Sequence, residues 1–328
     1  WALDGLSWVQ LDMNRSIDCE NGVLVISTGV DASTDEVMAL LETRGVRVSR
    51  LDTELFPYRT EFTAAFTDDS PFTLSIAGEG NLERARSVWY RRVRTPAIWD
   101  GMNPGVHEFC LREARAALLG SILSLDCPVM SRPDLVWAAE NKPFQLKVAS
   151  ELGLEIPRTV ITNSPEKVRE AFRFFDGAMI AKPVRTGYVD LGDDQLAIFT
   201  SRVLEEHLQD SRSLSVSPVI YQQHIEKRSD IRVTIVGRRL FAAEIDSQLD
   251  PEAIVDWRQT VDPGLPHRKI ELPIDLQRLL LSLMDRLNLQ YGAIDLVRTP
   301  DDRFVFLEIN PNGQWLWLDD KLNLGITD

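Results

Sequence analysis

The 328-residue chain is poor in cysteine, and Cys19, Cys110 and Cys127 are widely spaced, odd in number and form no CxxC pair. That argues against a disulfide framework and against structural zinc. A reducing cytoplasm is the expected compartment. Histidine is nearly as scarce: the four, at 107, 207, 224 and 267, show no metal-ligand spacing, so each reads as a surface or partly buried side chain. The familiar phosphate loops are missing. There is no GxxxxGK[ST], and Gly78 and Gly80 do not complete a GxGxxG. A GxSxG elbow and an HExxH pair are absent too. No apolar run approaches the roughly 18 residues a membrane span needs, and no secretory signal is present. Positive charge is also short: 36 Lys and Arg against 50 Asp and Glu give a net charge of −14. This argues against a nucleic-acid binder, whose footprint is a basic face. It leaves room for a local basic pocket, because net charge says nothing about distribution.

What is present is an ordinary globular composition, 44% hydrophobic and 26% charged, in a chain long enough to bury a core without staples and to form two or three domains. Residues 1–20 show no clear element and read as an N-terminal arm. From there VLVIST (23–28) reads as a buried strand, TDEVMALLETRG (34–45) as a helix and VRVSRLD (46–52) as the next strand. This β-α-β start predicts a parallel sheet. EFTAAF, FTLSIAG and SVWYRR add strands, and a long amphipathic helix is predicted over 107–125. Residues 21–132 are therefore expected to be an α/β domain. A second unit, 133–217, carries the helix NKPFQLKVASELG, the strand RTVIT, the helix SPEKVREAFRFF and the strand GAMIAKPV. A third, 218–328, is richer in antiparallel strands: VIYQQHI, DIRVTIVG, RRLFAAEID, YGAIDLVR and RFVFLEIN, with a helix over 273–289.

Polar residues inside these strands are the candidates for chemistry. Glu308 and Asn310, two apart on one strand, project to one face, and Asp295 on the neighbouring strand reaches the same place. Two carboxylates and an amide oxygen suit Mg²⁺, a hard cation that takes oxygen ligands. Three solvated strand-end residues are the alternative. Lys182 stands in an apolar strand, where lysine is rarely buried without a partner; a phosphate oxygen is one such partner. Lys142, at the head of a helix, reads as a phosphate ligand or as a solvated helix-end lysine. In YQQHIEKRSDIRV, Gln222, Gln223 and His224 end a strand where backbone groups can read an adenine edge. Asp230 can accept from ribose hydroxyls, and Arg232, on the same face, can steady a phosphate or an acyl-phosphate. The alternative is an exposed hairpin with a surface ion pair, worth little. Arg258 in VDWR shares a side with Asp256 if that stretch is extended.

Taken in order, Lys142, Lys182, the 222–225 segment, Asp230-Ile231-Arg232, Arg258, Asp295 and Glu308-x-Asn310 resemble the ATP-grasp ligases. DASTDEVMALLETRGVRVSRLDTELFP, SVWYRRVRTP and EINPNGQWLWL narrow the resemblance to the graspetide (microviridin-type) peptide macrocyclases, over nearly all of 21–320. The resemblance implies an α/β ATP-grasp fold of three lobes, the first a pre-ATP-grasp domain. It implies ATP and Mg²⁺ as cofactors and a ribosomal precursor peptide, leader plus acidic core, as partner, with homodimerisation as a further expectation. Side-chain carboxylates of the peptide would be phosphorylated and closed into intramolecular esters or amides. By the same resemblance Lys142 and Lys182 hold phosphates, Gln222, Gln223, His224 and Ile225 hold adenine, and Asp230 holds ribose. Arg232 and Arg258 act in catalysis, and Asp295, Glu308 and Asn310 bind the metal. Gln223 departs from the pattern, standing where a glutamate is common. Two rivals stay open: another ATP-grasp carboxylate–amine ligase, adding glutamate or building a small peptide, and a non-catalytic peptide-binding protein on the same scaffold.

Overall fold

A computed structural model of the chain describes residues 20–328 apart from 77–80, 97–98, 100, 186, 191–194 and 260–263. The N-terminal arm expected over 1–20 lies outside the described residues except for Glu20. The chain forms two compact units, 1–133 with 327–328, and 134–326.

In the first unit, β1 (Val23–Ser27), α1 (Ala32–Thr43) and β2 (Val48–Asp52) form the expected β-α-β unit. A hairpin of β3 (Phe62–Ala65) and β4 (Thr73–Ile76) follows, then β5 (Ser87–Tyr90), α2 (Pro104–Leu123) and β6 (Val129–Met130). The parallel sheet runs β2-β1-β5-β6. Leu24 and Ile26 pack in its core with Leu51, Val88, Leu118 and Ile122. The helix α2 begins at Pro104, three residues before the position expected, because Asn103 caps it by accepting from the Gly105 N–H and Pro104 supplies a preset φ at the first turn.

The second unit opens with α3 (Pro133–Ala139), which the sequence pattern did not announce, and α4 (Lys142–Glu151). Next come β7 (Thr159–Thr162), α5 (Pro165–Phe174), β8 (Met179–Lys182), the two-stranded β9 (Tyr188–Asp190) and β10 (Gln195–Ala197), β11 (Ser201–Arg202), α6 (Ser211–Ser215) and β12 (Val219–Gln223). The first sheet is β11-β8-β12-β7. One face of it packs Met179 and Tyr221 against Val168, Ala171 and Phe175 from α5 and the residue just after it. That alternation turns Lys182 and Gln222 to the other face.

The second sheet contains β13 (Ser229–Val236), β14 (Arg239–Ile245), β15 (His267–Lys269), β16 (Tyr291–Arg298) and β17 (Phe304–Asn310), with α7 (Ile274–Leu287) before β16 and α8 (Leu316–Leu322) at the end. Its order is β15-β14-β13-β16-β17, antiparallel throughout. Leu280, Leu283, Met284 and Leu287 recur at helical spacing on α7 and join Ile231, Val233, Ile235, Ile294 and Leu296 in one core. Asp230, Arg232, Thr234 and Asp295 therefore take the opposite face. The two sheets belong to one compact unit.

A bulge decides which side chains of β17 join that face. Asp295 pairs with Glu308 but Leu296 pairs with Phe306, so Leu307 is extra. Phe306 and Ile309 both reach the core, while Glu308 and Asn310 point away from it. Strict period-two alternation would have put Phe306 beside Glu308.

Candidate active site

The second unit contains a cavity of about 510 Å³, within the range of small-molecule sites. Lys142 at the start of α4, Lys182 at the end of β8, Arg258, Glu308 and Asn310 all line it, together with Glu140, Gln145, Pro183, Arg185, Gly187 and the segment 197–200. Three cations converge on one carboxylate. Lys142 Nζ lies 3.6 Å from Glu308 Oε2, and Arg258 Nη1 lies 3.6 Å from Glu308 Oε1. Burial alone would raise the Glu308 carboxyl, but Lys182, Lys142 and Arg258 outweigh it and hold it below its ordinary value. Lys182 shows the reverse balance. Only 9% of it is exposed, and burial, reinforced by Lys142 and Arg258, holds its ammonium below the ordinary lysine value despite Glu308 and Asp295. Among the described residues Lys182 has no hydrogen-bond partner. In an acidic protein, this is a pocket with a local surplus of positive charge and one cation, Lys182, that stands farther from Glu308 than the other two.

Lys142 and Arg258 are aimed by their neighbours. Lys142 donates to the Arg185 carbonyl at 2.9 Å. Arg258 is gripped side-on by Asp256, Nε to Oδ1 and Nη2 to Oδ2 both at 2.8 Å, which leaves Nη1 facing Glu308. Arg232 lies just behind. Its Nη1 donates to both oxygens of Asp295, at 2.8 and 2.9 Å, and its Nη2 to the Gln314 carbonyl at 3.3 Å. Gly313 allows this approach, because a Cβ there would collide with Ala293 and sit 2.9 Å from Arg232 Nη2. At the cavity's other rim, Gly187 accepts from the Ile198 N–H at 2.6 Å, and a Cβ there would collide with the Ile198 carbonyl.

Comparison with known proteins agrees with this geometry. Residues 22–134 match the family model of the MvdD pre-ATP grasp domain. The Chryseobacterium gregarium RiPP-associated ATP-grasp ligase, solved with ADP and a leader and core peptide, is 29% identical, with a TM-score of 0.85 and 94% of each chain covered. The macrocyclase MdnC of Microcystis aeruginosa, solved with its precursor peptide MdnA, is 33% identical, with a TM-score of 0.81 over 90% of this chain and 93% of that one. The chain belongs to the ATP-grasp peptide macrocyclases. It is thus an ATP-dependent ligase. More distant in activity, the tetrahydromethanopterin:α-L-glutamate ligase of Methanocaldococcus jannaschii is 29% identical over 209 residues, which are 61% of this chain and 68% of that protein.

Within this macrocyclase, five of the predicted residues meet at the cavity: Lys142, Lys182, Arg258, Glu308 and Asn310. Asp295 and Arg232 form the layer behind it. Gln222, Gln223, His224, Ile225 and Asp230 do not line it. The N–H groups of Gln223 and His224 are engaged by the carbonyls of Arg158 and Ala178, so neither can donate to a base. Gln222 is fully buried, donates to Thr159 Oγ1 at 2.8 Å, and keeps its Oε1 buried without a partner among the described residues. Asp230 is held by Lys227 at 2.6 Å and Ser247 at 2.5 Å, and burial raises its carboxyl against the pull of Lys227. The exposed hairpin that was the alternative for this stretch is not what forms: Asp230 and Arg232 are both buried.

The oxygen donors fit Mg²⁺. Asp295 and Glu308 face each other across adjacent strands, Asn310 follows on the same face, and all three offer hard oxygens. Asn310 Oδ1 accepts from the Asn312 N–H at 2.9 Å, which fixes its direction. Sequence reasoning missed Glu140, Gln145 and Gly187. Of these only Gln145 left a signal: a polar residue on the buried face of α4 beside Leu146 and Ala149. Among the described residues, no helix is long and apolar enough to cross a membrane.

Proposed function

We propose that the chain uses ATP and Mg²⁺ to activate side-chain carboxylates of a ribosomal precursor peptide and closes them into intramolecular esters or amides. The observation that carries this reading is the cavity in which Lys142, Lys182 and Arg258 surround Glu308 with a surplus of positive charge. Such a surplus suits a polyphosphate. Lys182, lacking a close partner, takes a phosphate oxygen, and Lys142 a second. Gln222 offers its orphan Oε1 to the adenine amino group. Asp230, on the other sheet, reaches the ribose through its partners Lys227 and Ser247. Glu308 and Asn310, backed by Asp295, hold the metal, which neutralises charge on the phosphates.

Two steps follow. A carboxylate oxygen of the peptide attacks the γ-phosphorus, the bond to the β-bridging oxygen breaks, and ADP leaves with that electron pair. A hydroxyl or amine of the same peptide then attacks the acyl carbon, loses its proton and expels phosphate. Phosphoryl transfer is largely a matter of positioning and charge neutralisation. Arg258, fixed by Asp256 and projecting Nη1 to Glu308, steadies the transferred phosphate; Arg232 holds Asp295. In this reading the lobes 133–217 and 218–328 supply the phosphate-binding and metal-binding walls, and 21–132 is the pre-ATP-grasp domain.

The test is mass spectrometry of a precursor peptide encoded beside the enzyme, after incubation with ATP and Mg²⁺. Loss of one water per link, with ADP and phosphate formed in equal amount, is expected. A mass gain by one residue when free glutamate is also supplied points to the glutamate-adding type of ligase. No ATP-dependent change with any acidic peptide sinks the reading.

A further inference from the structure

The inference concerns Gln145 and rests on the metal reading above. Gln145 is 1% exposed, the most deeply buried residue facing the cavity from α4. Its side-chain amide is fully engaged. Nε2 donates to the Ile309 carbonyl at 2.8 Å and to the Ala139 carbonyl at 2.6 Å, while Oε1 accepts from the Ile309 N–H at 3.0 Å. The amide thus meets the Ile309 backbone as a neighbouring strand would, by both N–H and C=O. It does so on β17, an edge strand whose outer rim would otherwise carry unpaired groups.

The clamped residue sits between Glu308 and Asn310. Ile309 itself points into the core, locked against Gly292 and Met284, so its backbone direction fixes where the two flanking side chains aim. Gln145 also lies three residues after Lys142 on the same helix, one turn away. A single amide therefore sets the aim of the metal-facing oxygens. The bulge at Leu307 makes such a clamp necessary, because the ladder is interrupted immediately before Glu308.

We propose that Gln145 is a positioning residue for metal binding, holding Glu308 and Asn310 at the geometry Mg²⁺ requires. A small hard cation tolerates little misplacement of its ligands, and removing a residue that orients ligands costs about 10- to 100-fold in metal affinity. A mere edge-covering role would lower stability without touching the metal.

The experiment is calorimetric titration of ADP into the full-length protein over a series of Mg²⁺ concentrations, alongside thermal unfolding. Gln145→Met keeps the volume and removes all three hydrogen bonds. Gln145→Asn, with its amide withdrawn by one methylene, serves if the first variant does not fold. Ile235→Val, in the same core but on β13, which β16 separates from β17, is the control for lost stability. The expected result is an increase of about tenfold or more in the Mg²⁺ concentration giving half-maximal ADP binding for the Gln145 variant. ADP affinity without Mg²⁺ stays at the wild-type value, and Ile235→Val shows no shift. A Gln145 variant with the wild-type Mg²⁺ dependence overturns the proposal, as does an equal shift in Ile235→Val. If ADP binding by the wild-type protein ignores Mg²⁺ altogether, the functional reading falls and the proposal with it.

Discussion

Each unit of the protein buries a cation against a carboxylate, and the two arrangements differ in kind. In the first unit Arg91, 2% exposed, donates from Nε to Asp31 Oδ2 at 2.9 Å, and the same oxygen is met by Ser27 and Thr34 hydroxyls at 3.4 and 2.9 Å. Asp31 is fully buried, and charge matches charge. In the second unit Lys142, Lys182 and Arg258 converge on Glu308 beside a cavity, three cations on one carboxylate, with Lys182 the farthest of the three. The first cluster is complete as it stands. The second is arranged for an anion that the protein itself does not supply, so burial of charge marks a ligand site only where the pairing is left uneven.

The sharpest way to break this contrast is to remove one cation from each cluster. Lys182→Met should reduce ATP-dependent turnover by about 10²- to 10³-fold, the scale of losing one fixed electrostatic contact to the reacting groups. Its thermal midpoint should hold or rise, because burial disfavours the ammonium. Steady-state kinetics and calorimetry on the same sample decide it. Near wild-type turnover, or a large loss of stability, would make Lys182 a structural residue like Arg91.

Arg91→Met should do the opposite. Removing one member of a buried, hydrogen-bonded pair leaves Asp31 uncompensated and costs about 3–5 kcal/mol. Denaturant titration should show that loss in the first unit, and ADP affinity of the protein that remains folded should be unchanged. A variant as stable as wild type would mean that the Arg91–Asp31 pair contributes nothing to the fold.

The uneven cluster should also titrate at both ends of the pH scale. Glu308 is held below its ordinary value, so its charged form stabilises the fold above about pH 4.3, the ordinary glutamate value, and that contribution is lost as pH falls through the lower, native value. Stability of the wild type relative to Glu308→Gln should therefore shrink in acid. Lys182 has the opposite sign. Its depressed value means a cost present at neutral pH and relieved as pH rises toward about 10.4, where the unfolded chain also loses the proton. Stability relative to Lys182→Met should grow through that alkaline window. Flat difference curves at both ends would show that the groups do not interact through the cavity.

Much of this was legible in the sequence, for identifiable reasons. The strand around Lys182 is apolar, so a lysine in it demanded a partner, and Glu308-x-Asn310 announced a shared face by spacing alone. The strand order was not legible, since pairing depends on contacts distant in sequence. The bulge at Leu307 was hidden because Phe306, Leu307 and Ile309 are all apolar and carry no mark of which residue is extra. Asp230 misled for a similar reason. Its partner Ser247 comes seventeen residues later, on the far side of β14, so a carboxylate that looked available for ribose is already held. Gln145 stood in plain view as a polar residue on a buried helix face, but nothing in its neighbourhood said that its target was the backbone of residue 309.

The smallest expected effect tests whether burial, rather than geometry, separates the clusters from ordinary surface pairs. Arg232 and Arg238 make almost the same bond. Each directs Nη1 to both oxygens of an aspartate, Arg232 to Asp295 at 2.8 and 2.9 Å and Arg238 to Asp285 at 2.7 and 2.8 Å. Their side-chain exposures are 9% and 15% in the first pair and 65% and 63% in the second. In water the attraction is weak, salt screens it, and two long side chains lose freedom to hold it. Arg238→Met should therefore change stability by no more than about 1 kcal/mol, with a difference that disappears in high salt, and should leave turnover alone. Arg232→Met exposes Asp295 beside the metal-facing oxygens and should cost turnover at every salt concentration, because that pair is shielded from the ions that screen the other. Denaturant titrations at low and high salt, paired with cyclisation rates, separate the two arginines. Equal losses in both variants would mean that the fork of hydrogen bonds carries the effect wherever it sits, and that the buried position of Arg232 adds nothing.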